Sequence, residues 1–149
     1  MSLIYGVGVD IIRVKRIGEA LERWGDRMVK RVLSRKEEEG MGRIGDESAK
    51  ILFVAGRFAA KEAVLKAIGI GHQLGVRWGD VSIVSDTLGK PEVHLSGKAL
   101  ELAVERGIER VLVSITHEGD YAMAFAIAIG SEGGRVFEGR YLRTNEEDR

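Results

Sequence analysis

The sequence predicts an α+β domain in which an antiparallel sheet packs against one long central helix. Three observations support this fold class. The chain begins with an alternating apolar strand, a long helical stretch occupies its middle, and two alternating strands, "RVLVSITH" and "YAMAFAIAIG", flank a tight turn near its end. The last strand has alanine at every second position, and such a face of small side chains lets a helix lie close to the sheet.

Length and composition indicate one ordinary domain and exclude several classes of protein. The 149 residues include 23 Lys plus Arg, 23 Asp plus Glu and no Cys. Balanced charge gives no reason to expect a nucleic-acid or membrane partner, and the absence of cysteine excludes disulfides and thiolate zinc sites. The apolar segments are only strand-length, and the N-terminal residues do not resemble a secretion signal. We therefore expect a cytoplasmic protein.

The first strand, Leu3 to Ile11, carries an acid on a face that it shares with two glycines. Gly6, Gly8 and Asp10 point to the same side. Glycine weakens a strand interior, so two glycines on one face indicate that another element lies very close. Helical spacing then runs from Val14 to Trp24, and a short basic segment follows.

Capping signals mark the starts of two further helices. Ser34 followed by Glu37 is a capping-box pattern, which predicts a short helix from Ser34. A polar loop, Gly40 to Asp46, comes next. Ser48 is expected to cap the long helix from Ala49 to Ile68.

The long helix carries charged residues on both of its predicted faces. A projection at about 100° per residue places Lys50, Arg57 and Lys61 on the solvent face. Glu62 and Lys66 fall within the apolar stripe that should face the sheet.

The remaining chain is predicted to be mostly strands. "VSIVS" and "PEVHLS" are two strands joined by the turn "DTLGK", and Lys98 to Arg106 forms a short helix before the final hairpin. The folded domain should span residues 1–130. Residues 131–149 are a polar C-terminal extension, and we expect its end to be mobile.

Common nucleotide and hydrolase motifs are absent from the sequence. "GVGVDI" has Ile11 where a dinucleotide-binding loop needs its third glycine, and its glycines lie inside the strand rather than after it. The chain also lacks a P-loop, a serine nucleophile elbow and a paired-histidine zinc motif.

Asp10, Glu62 and Lys66 admit two interpretations. Glu62 and Lys66 are spaced as a helical ion pair, which at a surface contributes only tenths of a kcal/mol. Alternatively, because an unpaired carboxylate facing the sheet would be costly, Asp10 and Glu62 hold a divalent cation between them and Lys66 meets a phosphate oxygen. Spacing leaves both interpretations open.

The three histidines differ in context. His72 lies in a glycine-rich loop and His94 on the solvent side of a strand, and neither position suggests a special role. His117 ends a strand at a tight turn, where a surface role and projection into a cleft are both compatible with the sequence.

Five segments, in this order and spacing, resemble the small trimeric class of 4'-phosphopantetheinyl transferases, the holo-(acyl-carrier-protein) synthases. They are "GVGVDIIRVKRI", "RVLSRKEEE", "FVAGRFAAKEAVLKAIGIG", "GKPEV" and "VSITHEGDYAMA". The resemblance covers residues 3 to 129, and its central block is highly specific. It implies a homotrimer with active sites at the subunit interfaces.

The resemblance also implies an activity and a set of site residues. The expected reaction is the magnesium-dependent transfer of 4'-phosphopantetheine from coenzyme A to a serine of apo-acyl carrier protein, which serves fatty acid biosynthesis. Asp10 and Glu62 match magnesium ligands, Glu62 and Lys66 match catalytic positions, and Lys66 also matches the coenzyme-binding lysine near the bridging phosphates. Matches to coenzyme-binding residues are Arg57, Gly89, Lys90, Pro91 and His117; matches to carrier-binding residues are Arg16, Arg27 and Arg31.

Two alternatives to this function remain at the level of sequence. The first alternative is a transferase that acts on a carrier domain within a larger synthase. The second is a noncatalytic module that binds coenzyme A or phosphate. The family also ends soon after the last strand, so the resemblance gives no role to residues 131–149.

Overall fold

The computed structural model describes residues 2–131, which form a three-stranded sheet, a separate hairpin and five helices. In chain order the elements are β1 (Ser2–Arg13), α1 (Val14–Trp24), α2 (Asp26–Val32), α3 (Arg35–Gly42), α4 (Glu47–Ile68), two 3₁₀ turns (His72–Leu74 and Trp78–Asp80), β2 (Val81–Ser85), β3 (Pro91–Leu95), α5 (Gly97–Glu105), β4 (Ile108–Glu118) and β5 (Tyr121–Ser131). Of the expected polar extension, only Ser131 falls within the described residues.

The main sheet is antiparallel, with strand order β1-β5-β4, and α4 lies across one of its faces. This arrangement confirms the predicted α+β fold. The alanine face of β5 is buried under α4, and its members are Ala122, Ala124, Ala126 and Ala128. The hairpin β2-β3 forms a second sheet of its own.

The helix boundaries correct two predictions and confirm one. The basic segment after α1 is itself a helix, α2, separated from α1 only by Gly25 at φ +49°. The N-cap of α4 is Asp46, whose carboxylate accepts from the amide of Ala49 at 2.8 Å, so the assignment of this cap to Ser48 is wrong. The capping box of Ser34 and Glu37 is present with both of its hydrogen bonds.

The face of the main sheet that points away from α4 is apolar and exposed. On β1, side chains are 52–60% exposed at Val7, Val9 and Ile11, and Phe125 of β5 is 42% exposed. A monomeric soluble protein rarely exposes a continuous apolar patch of this kind. Within residues 2–131, no helix is both long and apolar enough to cross a membrane.

Candidate active site

Two glycines of β1 place the strand directly against the backbone of α4. A Cβ built at Gly8 would collide with the carbonyl oxygen of Ala63 and lie 2.7 Å from the amide nitrogen of Ala67; a Cβ at Gly6 would collide with the carbonyl oxygen of Ala67. The close approach predicted from the sequence is therefore real. It brings Asp10, at the end of the same strand face, beside the last two turns of α4.

Lys66 pairs with Asp10 and not with its helical neighbour Glu62. Its ammonium donates to the Asp10 carboxylate at 3.2 Å and to the carbonyl of Val9 at 3.0 Å. The Lys66 side chain is more than half exposed, so it lies at the rim of the site rather than inside the apolar stripe. The interpretation of Glu62 and Lys66 as a simple surface pair does not describe this geometry.

Glu62 is a half-buried acid with an altered proton affinity. Burial raises the pKa of its carboxyl above the ordinary value, and the negative charge of Asp10 raises it further. His72 and Lys66 act in the opposite direction, which shows that all four groups share one electrostatic environment. Two carboxylates and a lysine thus converge where β1 meets the C-terminal half of α4.

His72 belongs to this cluster, although its position in the sequence suggested no special role. Its Nε2 lies 3.8 Å from Glu62, and its Nδ1 lies 2.9 Å from the carbonyl of Val76. The imidazole also contacts the ring of Trp78, with centroids 4.0 Å apart, and Trp78 rests on Phe58 of α4. A 3₁₀ turn after α4 folds His72 back toward the helix, and no periodicity announces such a turn.

Lys61 contradicts the prediction of a solvent-facing position. Its side chain is fully buried, and its ammonium donates to Glu37 at 2.5 Å, to the carbonyl of Trp78 at 3.2 Å and to that of Val81. Burial lowers the pKa of Lys61, while Glu37 opposes that shift. Helix α3 and the segment before β2 cover this face of α4, so Lys61 joins three elements of the fold.

Arg57 is also less exposed than the helical projection implied. Its guanidinium lies 4.2 Å from the centroid of the Phe53 ring and donates to Ser85 Oγ at 3.0 Å. Burial lowers the pKa of Arg57, and the charge of Glu37 partly offsets this. Arg57 therefore connects α4 to the end of β2, next to the turn that precedes β3.

That turn has a defined conformation. The Asp86 carboxylate accepts from the amides of Leu88 at 2.8 Å and Lys90 at 2.9 Å, and Gly89 has φ +85°. The turn orders Gly89 and Lys90, with Pro91 beginning β3. Three of the expected coenzyme-binding positions thus follow the strand end that Arg57 contacts.

His117 lies near the end of β4, and its side chain is exposed. Together with Arg57 it lines a cavity of about 290 Å³ between α4 and the sheet. Within one chain, the predicted site residues thus form two groups: Asp10, Glu62 and Lys66 at the C-terminal half of α4, and Arg57 with His117 toward its N-terminal half. Arg16, Arg27 and Arg31 are all exposed on α1 and α2 and belong to neither group.

This fold is that of a phosphopantetheinyl transferase. A model of the 4'-phosphopantetheinyl transferase superfamily matches residues 6–126, and the chain belongs to that superfamily. The matched region contains both groups of site residues.

Proteins named holo-[acyl-carrier-protein] synthase are similar over most of their length. The one from Geobacter sulfurreducens is 41% identical over 128 residues, covering 84% of this chain and 97% of the relative; the one from Desulforudis audaxviator is 46% identical over 128 residues, covering 86% and 95%. The solved synthase from Neisseria meningitidis is 36% identical with a TM-score of 0.77, covering 85% of this chain and 98% of its own. The Bacillus anthracis synthase, solved with CoA (3',5'-ADP), is 34% identical with a TM-score of 0.71, covering 86% and 98%.

Proposed function

We propose that this chain is a holo-(acyl-carrier-protein) synthase, which transfers 4'-phosphopantetheine from coenzyme A to a serine of apo-acyl carrier protein. The convergence of Asp10, Glu62 and Lys66 at the contact of β1 with α4 carries this proposal. The synthase names of relatives 41–46% identical over most of their length support it.

The proposed reaction is a phosphoryl-type displacement. The serine oxygen forms a bond to the β-phosphorus of coenzyme A, the bond from that phosphorus to the bridging oxygen breaks, and adenosine 3',5'-bisphosphate leaves. Negative charge builds on the phosphoryl oxygens, so a cation at that group is the main catalytic requirement. Lys66, exposed at the rim, is positioned to meet the leaving bisphosphate and supply charge or a proton. Glu62 and a water are the two candidates for the base that accepts the serine proton.

Asp10 and Glu62 are the proposed magnesium ligands, and the donor set fits this ion. When bound, Mg²⁺ would stabilise the charge that develops on the phosphoryl oxygens. Asp10 raises the pKa of Glu62, so the two acids are close enough to repel each other, and a divalent cation would relieve that repulsion. Within residues 2–131 no cluster of three or more metal-ligating side chains occurs. Two protein carboxylates with further oxygens from water and substrate are a usual arrangement for Mg²⁺.

The nucleotide of coenzyme A is proposed to bind along the second group of residues. Arg57 and His117 line one cavity, and Arg57 also contacts the strand end before Gly89, Lys90 and Pro91. A guanidinium suits a phosphate, and an ordered turn with a glycine lets the ligand approach the backbone. The proposed substrate would thus extend along α4 from Arg57 to Lys66.

A homotrimer with interfacial active sites is part of the proposal. The exposed apolar face of the main sheet supports self-association, since a second copy could cover it. Arg16, Arg27 and Arg31 are exposed on the first two helices and are proposed to bind the carrier protein. Because both substrates are water-soluble, the proposed reaction suits a cytoplasmic enzyme.

Incubation with coenzyme A, Mg²⁺ and apo-carrier protein tests the function directly. We expect the carrier to gain the mass of one phosphopantetheine, and we expect Glu62→Gln and Asp10→Asn to reduce the rate by at least about a hundredfold. His94→Gln, an exposed change outside the cluster, is the matched control.

The same assay distinguishes the two alternative functions. A noncatalytic module would give no mass gain, and a synthase-domain enzyme would modify an excised carrier domain faster than a free carrier protein. A folded Glu62→Gln variant with full Mg²⁺-dependent activity would remove Glu62 from the ligand set.

A further inference from the structure

A histidine outside α4, His72, contacts one of the proposed magnesium ligands, since its Nε2 lies 3.8 Å from Oε1 of Glu62. We propose that His72 is a positioning residue, which holds the Glu62 carboxylate in the orientation that lets Glu62 and Asp10 bind one magnesium ion together. This inference rests on the proposed function and deepens it, because it names what orients one of the two ligands.

Glu62 has few other contacts that could fix its carboxylate. Lys66, one turn further along α4, donates instead to Asp10 and to the carbonyl of Val9. Within residues 2–131, His72 is the only side chain that makes a direct polar contact with Glu62. A glutamate side chain rotates about several bonds, and metal-binding carboxylates are usually held by a further polar partner. His72 is the residue placed to be that partner.

The imidazole of His72 is itself held on two sides. Its Nδ1 lies 2.9 Å from the carbonyl oxygen of Val76, and because a carbonyl can only accept, Nδ1 is the donor of this hydrogen bond. The ring also contacts Trp78, whose own ring contacts Phe58 of α4. These contacts leave Nε2 as the nitrogen that faces Glu62. A ring fixed in this way can fix the carboxylate beside it.

The backbone after α4 places this ring beside the helix. Gly69 ends the helix with φ +80°, and Ile70 is buried against the core. The 3₁₀ turn His72–Leu74 follows, and it is closed by a hydrogen bond of 3.0 Å from the amide of Gly75 to the carbonyl of His72. The position of His72 is therefore set by an ordered turn between a helix end and a buried side chain.

Two other roles for His72 agree less well with this geometry. Mg²⁺ prefers oxygen ligands, and within residues 2–131 no three metal-ligating side chains cluster, so the imidazole is not itself proposed as a ligand. If His72 only closed its own turn, the bond from Nδ1 to Val76 would be enough, and nothing would require Nε2 to face Glu62.

Two amide substitutions separate the contributions of the two ring nitrogens. The side-chain amide of glutamine extends about as far as Nε2 of histidine, and that of asparagine about as far as Nδ1. We expect His72→Gln to retain most of the affinity for Mg²⁺. His72→Asn and His72→Phe should raise the Mg²⁺ concentration that gives half the maximal rate by at least about tenfold. At saturating Mg²⁺, kcat and KM for coenzyme A should be unchanged.

A second histidine of the chain provides a matched control. Nε2 of His94 lies 3.7 Å from Glu92 on β3, away from the acid cluster, so this pair has nearly the same contact without the proposed role. His94→Phe should leave the dependence on Mg²⁺ unchanged. Thermal unfolding of each variant establishes that it is folded.

Binding of Mn²⁺ supplies a measurement that does not depend on turnover. Mn²⁺ accepts the same oxygen ligands as Mg²⁺, and the EPR signal of the free ion reports how much is bound in the presence of coenzyme A. We expect Mn²⁺ to bind the wild type and His72→Gln more tightly than His72→Asn and His72→Phe. In the Glu62→Gln variant, the addition of His72→Phe should cause no further loss of Mn²⁺ affinity, because His72 acts through Glu62.

The opposite order of the two amide variants would overturn the inference. If His72→Asn keeps its metal affinity while His72→Gln loses both metal affinity and thermal stability, the ring only supports its own turn. Unchanged metal constants in every His72 variant, or a further loss in the Glu62→Gln background, would also overturn it. A wild-type protein that fails to modify the carrier would reject the proposed function itself, and the Mn²⁺ measurement would still decide the role of His72.

Discussion

At the scale of single residues, Gly8 fixes the position of the acid cluster. The strand and α4 meet backbone to backbone at this residue, and a methyl group there would lie 2.7 Å from the amide of Ala67 and 2.9 Å from Lys66 Cβ. Neither backbone can move without carrying Asp10 or Lys66 with it. A side chain at position 8 therefore affects both stability and the site.

Gly8→Ala is expected to reduce the free energy of unfolding by more than about 2 kcal/mol, because the added methyl group overpacks a rigid contact. Chemical denaturation measures this loss. Gly45→Ala is the control, since a Cβ at Gly45 meets nothing within 4 Å, and it should change stability by less than about 0.5 kcal/mol. Equal effects of the two substitutions would disprove the close-contact argument.

Lys61 gives a second prediction about a single residue. Lys61→Met leaves the Glu37 carboxylate buried without its cation and should cost about 3–5 kcal/mol in denaturation experiments. Adding Glu37→Gln removes the uncompensated charge while keeping an acceptor for the Ser34 amide, so the double variant should be more stable than Lys61→Met alone. If the loss of unfolding free energy in the double variant equals the sum of the losses in Lys61→Met and Glu37→Gln alone, the two residues are not coupled.

The buried lysine also predicts a pH dependence. Because burial lowers the pKa of Lys61, the folded state binds this proton less tightly than the unfolded state does. The contribution of Lys61 to stability therefore rises with pH between its folded-state pKa and the ordinary lysine pKa, and it is constant below the first value and above the second. Between pH 7 and 10, the unfolding free energy of the wild type should increase relative to that of Lys61→Met/Glu37→Gln. A flat or decreasing difference would be evidence against the shift.

The residues of the site were predictable to different degrees. Asp10 and Glu62 stood out because each acid interrupts an apolar pattern. Lys61 was placed wrongly because a projection of one helix shows only that the residue faces away from the sheet; it does not reveal that α3 and the segment before β2 cover the same side. His72 depends on a turn whose conformation has no sequence periodicity.

At the scale of elements, the helix starts show how local signals compete. The stretch Asp46 to Ser48 offers two residues that can cap α4, and the earlier one does so. The helix consequently begins before the position that the sequence suggested. Helix α2 was missed because its seven residues contain only two buried apolar side chains, Val29 and Val32, too few to establish a helical period.

Asp46→Ala should reduce the unfolding free energy by about 1 kcal/mol, because the amide of Ala49 loses its acceptor. Ser48→Ala should change it by less than about 0.5 kcal/mol. Thermal unfolding of both variants compares the two positions, and Asp46→Asn should behave like the wild type. A larger loss of unfolding free energy for Ser48→Ala than for Asp46→Ala would show that Ser48 is the N-cap of α4.

At the scale of the whole molecule, the hairpin of β4 and β5 and the alternation of side chains were predictable from the sequence. Whether another element covers the outer face of the sheet was not. The alternation that places Gly6, Gly8 and Asp10 on one face of β1 places Val7, Val9 and Ile11 on the other, and within residues 2–131 no element covers them. Periodicity tells which residues share a face and leaves open whether that face is buried within one chain or between chains.

Phe125→Lys, on the exposed apolar face, is expected to shift the proposed trimer to monomers, because a charge there would be buried between copies. Light scattering coupled to size-exclusion chromatography measures the mass. Val104→Lys places the same charge on an exposed apolar position of α5 and should leave the trimer intact. A wild-type protein that stays monomeric at micromolar concentration would reject the proposed assembly.

The two faces of strand β1 contribute to different proposed sites. Asp10 points toward α4, while its neighbours Val9 and Ile11 point outward to the apolar face. Only the thickness of one polypeptide backbone separates Asp10, a proposed magnesium ligand, from the proposed subunit contact. If subunits part on dilution, the strand loses its support on one side, and the specific activity of the enzyme should then fall with its own concentration even when both substrates are saturating.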